Sequence, residues 1–403
     1  MAIVFVILDG LADNVKAHSG ATPLCIAKKP NLNRIASNSL FGVWKSVDKR
    51  FFERGNYSIK SMSDITLSLL GYSLRDCPGR GYLEALGIGL KPRKDEIYVR
   101  GNFATVDENL NIIDRRAGRE ELGLDELARA LEMRVEIREL KKGGGAEKIR
   151  IKCYHTSGHR AVVVLRGRGL STRISDSDAG LDKPARIIPL SKRAEKTALV
   201  LNVFSEVSHE ILERHPVNRK RKYKANYILL RGASKMKKVK SFREKYRLRA
   251  CCVTGVTVIK GISRYLGIDV IDVKGANGHV NTNLRNKVEA VLRAIKRYDF
   301  VLLHINGADE AAHDRNPTLK KKFIERVDRE VFGRLIDKNV SMVVTCDHVT
   351  NSKTGNHELG EVPFLIYSPR KTYRGVENFC EVACRRGIAT RNLFKLMLRE
   401  LAR

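Results

Sequence analysis

The chain has 403 residues, of which 43% are hydrophobic and 6% are aromatic; this predicts a folded protein with two domains and excludes a disordered chain. Its 76 lysines and arginines outnumber 45 acidic residues, which gives a net charge of +31, and 15 of the basic residues lie in the segment 214–249. Such a field favours nucleic acid or another polyanion as a partner, and a solvated basic surface is the alternative interpretation.

Neither a membrane span nor a disulfide framework is expected. No apolar run approaches the length of about 20 residues that a membrane-spanning helix needs. The eight cysteines form no C-x-x-C pair, although Cys380 and Cys384 lie one helical turn apart. Reduced, buried thiols in a cytoplasmic protein are therefore predicted.

The N-terminal region predicts alternating strands and helices. The sequence AIVFVILDG is a β-rich run that ends at Asp9, and KPNLNRIASNSLFGVW reads as a helix capped near Asn31 and followed by a strand. In SMSDITLSLLGY, residues 61–72, a serine and an aspartate precede an apolar run. Ser63 is thus either a helix cap or the nucleophile of an enzyme.

The middle and the C-terminal part of the chain differ in pattern. Short strand-like runs among helices predict an α+β domain over residues 93–237, inserted into a core formed by 1–92 and 238–403. In the late part of the chain, helices feed β-branched runs that end at polar residues, which is typical of an α/β fold with a mostly parallel sheet.

Three predicted strands end in side chains that bind metals, and ligands collect at the carboxyl ends of strands in open α/β sheets. Mixed carboxylates and imidazoles suit Mn²⁺, Zn²⁺ or iron rather than Ca²⁺. Six ligands exceed one site and fit a two-metal centre that shares a phosphate oxygen. The candidate ligands are Asp9, Asp309, His313, Asp347, His348 and His357.

Motifs with a family resemblance follow one another along nearly the whole chain. They include VILDG, GRGYLEALGIG, DRRAGR, HINGADEAAHD and VVTCDHVTNSKTGNH. Together they resemble the archaeal cofactor-independent (2,3-bisphosphoglycerate-independent) phosphoglycerate mutases, a family of the alkaline phosphatase superfamily. The resemblance implies an alkaline-phosphatase-like core with an inserted substrate-binding domain. It also implies two divalent metals, with Mn²⁺ favoured over Zn²⁺, Co²⁺ or Mg²⁺, and no organic cofactor.

The resemblance further implies how the ligands divide and what they do. Asp309, His313 and His357 would hold one metal, and Asp9, Asp347, His348 and a nucleophilic serine the other. The serine would take the phosphate of a phosphoglycerate and return it to the other hydroxyl of glycerate.

Substrate contacts are expected in the motifs of the inserted domain, because guanidinium groups bind carboxylate and phosphate through two hydrogen bonds. Asp176 and Asp178 are expected to bind glycerate hydroxyls or to orient the arginines, and Lys260, in the core, to contact a phosphate. The candidate arginines are Arg115, Arg116, Arg119, Arg166, Arg219, Arg221 and Arg231.

The nucleophile motif departs most from the family pattern, which is close to P-G-S-D-T-A-H-L-x-x-L-G-Y. Alignment without a gap places Met62 at the serine position, whereas a one-residue deletion restores Ser63 and Asp64. The proline, glycine and histidine of the motif are absent. Two hypotheses follow: a mutase of glycolysis and gluconeogenesis that uses Ser63, or a mutase-fold paralogue with reduced or no activity that binds RNA or the ribosome through its basic surface.

Overall fold

A computed structural model describes residues 2–45, 62–137, 147–358 and 360–401, without the side chains of 62–64, 137 and 147. The chain separates into two compact units, which are Met1–Cys77 with Val239–Arg403, and Pro78–Lys238. No helix in the described ranges is long and apolar enough to cross a membrane.

The strands of the described chain are numbered in sequence order. They are β1 (Ile3–Leu8), β2 (Ser39–Lys45), β3 (Glu96–Val106), β4 (Ile112–Asp114), β5 (Met133–Ile137), β6 (Glu147–Ser157), β7 (Arg160–Arg166), β8 (Tyr227–Lys235), β9 (Ala250–Val253), β10 (Asp269–Ile271), β11 (Phe300–Ile305), β12 (Ser341–Thr345), β13 (Val349–Asn351), β14 (Asn356–Glu358), β15 (Glu361–Tyr367) and β16 (Ile388–Thr390).

The α-helices are Pro23–Ile26, Pro30–Ser37, Met62–Leu69, Arg80–Gly87, Leu124–Ala130, Glu195–Arg214, Phe242–Tyr246, Thr257–Tyr265, Leu284–Ala294, Gly307–His313, Pro317–Val327, Gly333–Leu335, Glu381–Cys384 and Leu393–Leu401. Short 3-10 turns lie at Leu74–Asp76, Ala117–Arg119, Lys192–Ala194 and Pro216–Lys220, and a π turn at Asp328–Phe332.

The first unit is built on a mixed sheet that is mostly parallel. Its strand order is β10-β9-β11-β1-β12-β15-β2-β16, and only the pairs that β15 forms with β12 and β2 are antiparallel. Every residue of β1 is buried, as expected for a parallel strand that is covered on both faces. This strand and its parallel neighbours β11 and β12 form the centre of the sheet.

An aromatic cluster joins the C-terminal helix to the sheet. Phe394 stacks against Phe5, Phe242 and Phe300 with ring centroids 5.7–6.3 Å apart, and against Tyr246 at 4.6 Å. Each such pair contributes about 0.5–1.5 kcal/mol beyond area burial. The amphipathic pattern of Leu393–Leu401 therefore has its apolar face in the core.

The helix Pro30–Ser37 receives its N-terminal cap from a distant part of the chain. Its N-cap position, Lys29, makes no side-chain cap hydrogen bond. Instead the backbone N–H groups of Asn31 and Leu32 donate to the carboxylate of Asp328, at 3.3 and 2.7 Å. The cap expected near Asn31 thus comes from a tertiary contact.

The second unit is a six-stranded antiparallel sheet covered by helices. Its order is β4-β3-β7-β6-β5, and β8 pairs with β3. The helix Arg80–Gly87 belongs here, because the Tyr82 and Tyr98 rings meet edge to face at 5.5 Å and a Cβ at Gly81 would lie 2.3 Å from the Tyr98 carbonyl oxygen. The boundary expected at residue 93 therefore falls inside this unit.

Candidate metal centre

Three adjacent parallel strands place the candidate ligands at one edge of the sheet. Leu8 pairs with Ile305 in β11, and Ile7 pairs with Thr345 in β12, so these strands end at the same level. Asp9 follows β1 directly. The helix Gly307–His313 follows β11, and the segment that begins at Cys346 follows β12. Strand register thus brings the ligands that follow these strands to one edge of the sheet.

The first group of ligands consists of Asp9, Asp347 and His348, and all three are buried. The Nε2 atom of His348 lies 3.3 Å from Asp9 Oδ1 and 3.5 Å from Asp347 Oδ2. The two carboxylates are completely buried beside each other. Their geometry converges on a point that one cation would fill.

The second group consists of Asp309, His313 and His357. Asp309 and His313 lie one turn apart on their helix, with Oδ2 and Nε2 3.4 Å apart. His357, in the β13–β14 hairpin, brings its Nε2 to 3.1 Å from Nε2 of His313. The members of this group are more exposed than those of the first, since His313 and His357 are partly open to solvent.

The two groups adjoin through His348, His357 and Thr350. The Nδ1 atoms of the two imidazoles are 3.1 Å apart. The hydroxyl of Thr350 donates to Asp309 Oδ1 at 2.8 Å and lies 3.0 Å from His348 Nδ1. Thr350 is fully buried and was missed by the sequence analysis, because a threonine in a β-rich run carries no sign of such a contact.

Gly10 permits the close approach of the two ligand-bearing segments. It has φ of +69°, and an added Cβ would lie 2.3 Å from Cα and 2.5 Å from N of Asp309. Real Cβ atoms do not approach backbone this closely, and the left-handed conformation favours glycine. The Asp-Gly ending of the first strand therefore has a structural reason.

The electrostatics of the centre favour a bound cation. Burial, and then the Asp347 and Asp309 charges, raise the pKa of Asp9 well above its usual value, and burial raises the pKa of Asp347. Burial would also raise the pKa of Asp309, but the hydrogen bond from His313 and the nearby imidazoles lower it.

Several buried polar atoms here have no hydrogen-bond partner among the described residues. They are both carboxylate oxygens of Asp9, both of Asp347, Nε2 of His348 and Nε2 of His304. Burial of unpaired carboxylates is costly unless a cation compensates. The residues present therefore fit divalent metal ions, and mixed oxygen and nitrogen donors suit Mn²⁺ or Zn²⁺.

Ser63, the candidate nucleophile, and Lys260, the candidate phosphate contact, also belong to the first unit. Ser63 lies in the first turn of the helix described as Met62–Leu69, and its side chain lies outside the described residues. Lys260, in the helix Thr257–Tyr265, donates from Nζ to Asp272 Oδ1 at 2.6 Å. This lysine is therefore engaged in an ion pair at the end of β10.

Some candidate substrate residues of the second unit do come together. Asp178 accepts a hydrogen bond from Arg115 at 2.6 Å, and its other oxygen lies 3.5 Å from Arg231. Asp176 accepts from the backbone N–H of Gly232 at 2.9 Å, next to Arg231. Asp178 thus contacts two of the candidate arginines, whereas Asp176 holds the backbone next to Arg231.

Beside these residues lies a cluster that joins Arg231 to Arg100 and Arg160, two arginines that the sequence analysis missed. Arg100 is 9% exposed, and burial, followed by the charges of Arg80 and Arg231, lowers its pKa. The pKa of Arg160 is lowered by burial and by Arg80. The Nε atoms of Arg100, Arg160 and Arg231 are buried without a hydrogen-bond partner among the described residues. Buried guanidinium groups with unused donors are the kind of arrangement that binds carboxylate or phosphate in proteins.

His159 and Glu84 complete this cluster. Burial, followed by Arg160, Arg116, Arg100 and Arg119, lowers the pKa of His159 to about 3. Glu84 accepts from Arg80 Nε at 2.9 Å, and arginine charges lower its pKa against the effect of burial. The available sequence signal was a positive charge inside apolar strands, in IYVRGNF and at the start of RAVVVLR.

Three further candidate arginines, Arg166, Arg219 and Arg221, lie outside the arginine cluster. Arg221 is 6% exposed and donates to four backbone carbonyls, those of Ala117, Glu120, Leu122 and Tyr223. Arg166 pairs with Asp95 at 3.0 Å near the surface, and Arg219 is exposed. None of these three joins the cluster within the described residues.

The loop that Arg221 holds has an unusual backbone. Ala117, Gly118 and Arg119 have φ of +45°, +70° and +58°. Left-handed non-glycine residues cost about 1–3 kcal/mol each and persist only where the surroundings enforce them. Arg116 precedes this turn and Arg119 ends it, and the charges of both lower the pKa of His159, so the strained loop places them near this histidine.

Comparisons with known proteins place this chain among metal-dependent enzymes. Residues 1–390 match the metalloenzyme superfamily. The chain is 38% identical over 397 residues to 2,3-bisphosphoglycerate-independent phosphoglycerate mutase 1 of Methanocaldococcus jannaschii, with 95% of this chain and 92% of the relative covered. It is 40% identical over 397 residues to the corresponding protein of Methanothermobacter thermautotrophicus, with 95% and 93% covered.

Two solved structures of archaeal proteins share the fold of this chain. The cofactor-independent phosphoglycerate mutase from Thermoplasma acidophilum matches with a TM-score of 0.63 and 30% identity, over 99% of each chain. The PH0037 protein from Pyrococcus horikoshii matches with a TM-score of 0.76 and 29% identity, over 99% of this chain and 96% of that one. The predicted α/β fold class with a mostly parallel sheet is confirmed.

Proposed function

Because this chain belongs to the family of 2,3-bisphosphoglycerate-independent phosphoglycerate mutases, we propose that it interconverts 3-phosphoglycerate and 2-phosphoglycerate through a phosphoserine at Ser63. The protein is then an isomerase of glycolysis and gluconeogenesis that works as an intramolecular phosphotransferase, and we propose a cytoplasmic location. The observation that carries the proposal is the pair of ligand groups, Asp309-His313-His357 and Asp9-Asp347-His348, within a chain similar to such mutases over its whole length.

Each ligand group would hold one divalent cation, with Mn²⁺ as the ion that we favour. The unpaired oxygens of Asp9 and Asp347 support this assignment for the inner group. Bound there, the cations would supply the positive charge that activates a serine hydroxyl and neutralises phosphoryl oxygens. Thr350 orients Asp309 and His348 through its hydroxyl, and Gly10 allows Asp9 and Asp309 to lie close together.

The arginine cluster of the second unit supports binding of an anionic substrate. Arg100, Arg160 and Arg231 present buried donors that lack partners among the described residues, and a carboxylate or phosphate would satisfy them. His159 is neutral at physiological pH, because its pKa lies at about 3, so it contributes a hydrogen bond rather than a charge. Tight binding of glycerate matters for a mutase, since the intermediate must take its phosphate back before water does.

Arg221 acts as a positioning residue in this proposal. Its guanidinium holds the carbonyls of Ala117 and Glu120 and thereby the strained loop that carries Arg116 and Arg119. The latter two remain proposed substrate contacts, together with Arg115 and Arg231.

The decisive experiment measures conversion of 3-phosphoglycerate by the purified, metal-free protein before and after addition of Mn²⁺. We expect activity that depends on the metal and is lost in Ser63→Ala, while the matched variant Ser68→Ala, in the same helix, remains active. Mass spectrometry of acid-quenched enzyme should find phosphate on the peptide that contains Ser63. Equal turnover by Ser63→Ala and the parent would contradict the proposed nucleophile, and no turnover with any divalent metal would contradict the function.

The basic segment 214–249 keeps RNA or ribosome binding as a second hypothesis. All of its lysines and arginines except Arg221 and Arg231 are exposed. Similarity to phosphoglycerate mutases over nearly the full chain favours mutase activity over RNA binding as the function. Binding to ribosomal RNA across a salt series separates the two, because contact with phosphates weakens steeply as salt rises. Weak binding at low salt, or binding that is indifferent to salt, would rule out the RNA hypothesis.

A further inference from the structure

A second kind of ligand cluster lies in the first unit, formed by Cys25, Cys380 and Glu381. One donor atom from each residue lies within 4.8 Å of the other two. Cys25 belongs to the short helix Pro23–Ile26, and Cys380 directly precedes the helix Glu381–Cys384. The sequence spacing pairs Cys380 with Cys384, but the fold instead places Cys380 beside a thiol from the opposite end of the chain.

The spacing of the donors suits a tetrahedral cation. With metal–sulfur bonds of about 2.3 Å and metal–oxygen bonds of about 2.0 Å, a tetrahedral site separates sulfur and oxygen by about 3.5 Å. Cys25 Sγ and Glu381 Oε2 are 3.6 Å apart. A hydrogen bond from the Cys25 thiol to the Glu381 carboxylate also fits this distance. The charge around the cluster and the further hydrogen bonds of Glu381 therefore decide between a hydrogen bond and a metal site.

The charge around the cluster favours an anionic set of donors. Lys29 is 2% exposed, and its Nζ donates to Asn378 Oδ1 at 2.7 Å and to the carbonyl of Ala27 at 3.5 Å. Burial lowers its pKa, while the charges of Cys380, Cys25 and Glu381 oppose this effect. Two thiolates and one carboxylate around a divalent cation carry one net negative charge, which one ammonium neutralises.

The carboxylate is already oriented by contacts of the kind that support metal ligands. Glu381 Oε1 accepts from the backbone N–H of Asp13 at 2.8 Å, and Oε2 accepts from the Thr22 hydroxyl at 2.7 Å. Such outer contacts fix the direction of a ligand. Glu381 is 3% exposed, whereas Cys25 is partly open to solvent and offers a path of entry.

The three donors differ in how tightly they hold their protons. The hydrogen bond between the two thiols lowers the pKa of Cys380 and, together with burial, raises the pKa of Cys25, while burial raises the pKa of Glu381. A divalent cation displaces such protons, because it binds the thiolate and the carboxylate rather than their protonated forms.

We propose that Cys25, Cys380 and Glu381 form a third, thiolate-containing site for a soft divalent cation of the Zn²⁺ type, with an exchangeable fourth position. Binding releases the proton of Cys25 and any proton on Cys380 or Glu381, and it forms two metal–sulfur bonds and one metal–oxygen bond. The site ties the segment that follows β1 to the C-terminal region, across 356 residues of sequence between Cys25 and Glu381. Its role is structural, and it is separate from the oxygen- and nitrogen-donor centre.

Co²⁺ titration of the reduced, metal-free protein under anaerobic conditions tests the proposal. Co²⁺ bound by thiolates gives an intense sulfur-to-metal charge-transfer absorption, which carboxylate and imidazole ligands do not give. We expect this absorption to saturate at one equivalent attributable to the site, and excess Zn²⁺ to abolish it.

Single substitutions then identify the ligands. We expect Cys25→Ser and Cys380→Ser to lose the absorption and Glu381→Gln to bind at least about 10-fold more weakly, since even outer contacts of a ligand contribute that much. Cys384→Ser, in the helix Glu381–Cys384, should retain the absorption. The far-ultraviolet circular dichroism of each variant shows whether it is folded. Absence of the absorption in the reduced parent protein, or its survival in both Cys25→Ser and Cys380→Ser, would overturn the proposal. The readout does not depend on mutase activity.

Discussion

Replacing Gly10 with alanine tests whether the close approach of β1 to the Asp309 segment builds the metal centre. The new Cβ would lie 2.3 Å from Cα and 2.5 Å from N of Asp309, both of them backbone atoms. Restoring ordinary contact requires a shift of about 1 Å. The left-handed φ of +69° adds its own cost for a residue with a Cβ.

The expected magnitude is the sum of these two effects. The conformation costs about 1 kcal/mol, and forcing an extra group into packed structure costs about 1–3 kcal/mol. We therefore expect Gly10→Ala to lower the free energy of unfolding by about 2–4 kcal/mol. Since a 1 Å displacement of a catalytic group costs about 100-fold in rate, turnover and Mn²⁺ affinity should fall as well.

Gly20→Ala is the matched control. Gly20 has φ of +86°, but apart from Gly20 itself and its two chain neighbours no atom of the described residues lies within 4 Å of the position of its Cβ. It isolates the conformational cost of about 1 kcal/mol and should leave turnover unchanged. Urea unfolding of the metal-free proteins and turnover at saturating Mn²⁺ measure both effects. Equal losses of stability in the two variants, or parental turnover and Mn²⁺ affinity in Gly10→Ala, would refute the reasoning.

Three further predictions concern single side chains. Thr350→Val removes the hydroxyl that contacts both Asp309 and His348, and it should weaken Mn²⁺ binding by about 10–100-fold. The control Thr345→Val removes another buried hydroxyl and should leave Mn²⁺ affinity unchanged. Equal Mn²⁺ affinities of the two variants would contradict the prediction. Arg221→Ala removes the donor that holds the carbonyls of the strained loop, and it should raise KM for 3-phosphoglycerate more than it lowers kcat. Lys220 is exposed, so Lys220→Ala serves as the control. An unchanged KM in Arg221→Ala would count against a positioning role. The pKa of His159 falls from 6.5 to about 3 on folding, so between these values the unfolded chain binds more protons and stability falls as pH falls. In His159→Gln the difference in unfolding free energy between pH 7 and pH 5 should be smaller than in the parent, and an equal difference would show that this histidine titrates normally.

The sequence by itself determined the ligand-bearing strand ends. A fully apolar run such as IVFVIL has to be buried on both faces, and polar residues directly after such strands collect at one edge of a parallel sheet. The proximity of Asp9, Asp309 and Asp347 therefore follows from their positions along the chain. Local pattern suffices there because strand direction and register carry the information.

Only the tertiary structure decided what the buried charged groups do. Arg221 has the sequence context of a substrate contact but donates to backbone carbonyls. Arg100 and Arg160 have the context of ordinary strand residues, but their Nε atoms are buried without a hydrogen-bond partner among the described residues. The contact between Cys25 and the region of Cys380 likewise depends on two distant parts of the chain that meet in the fold. Sequence reports the identity of a charge, but its burial and its partners are set by segments far away in the chain, and these determine whether it binds a ligand or holds the backbone in place.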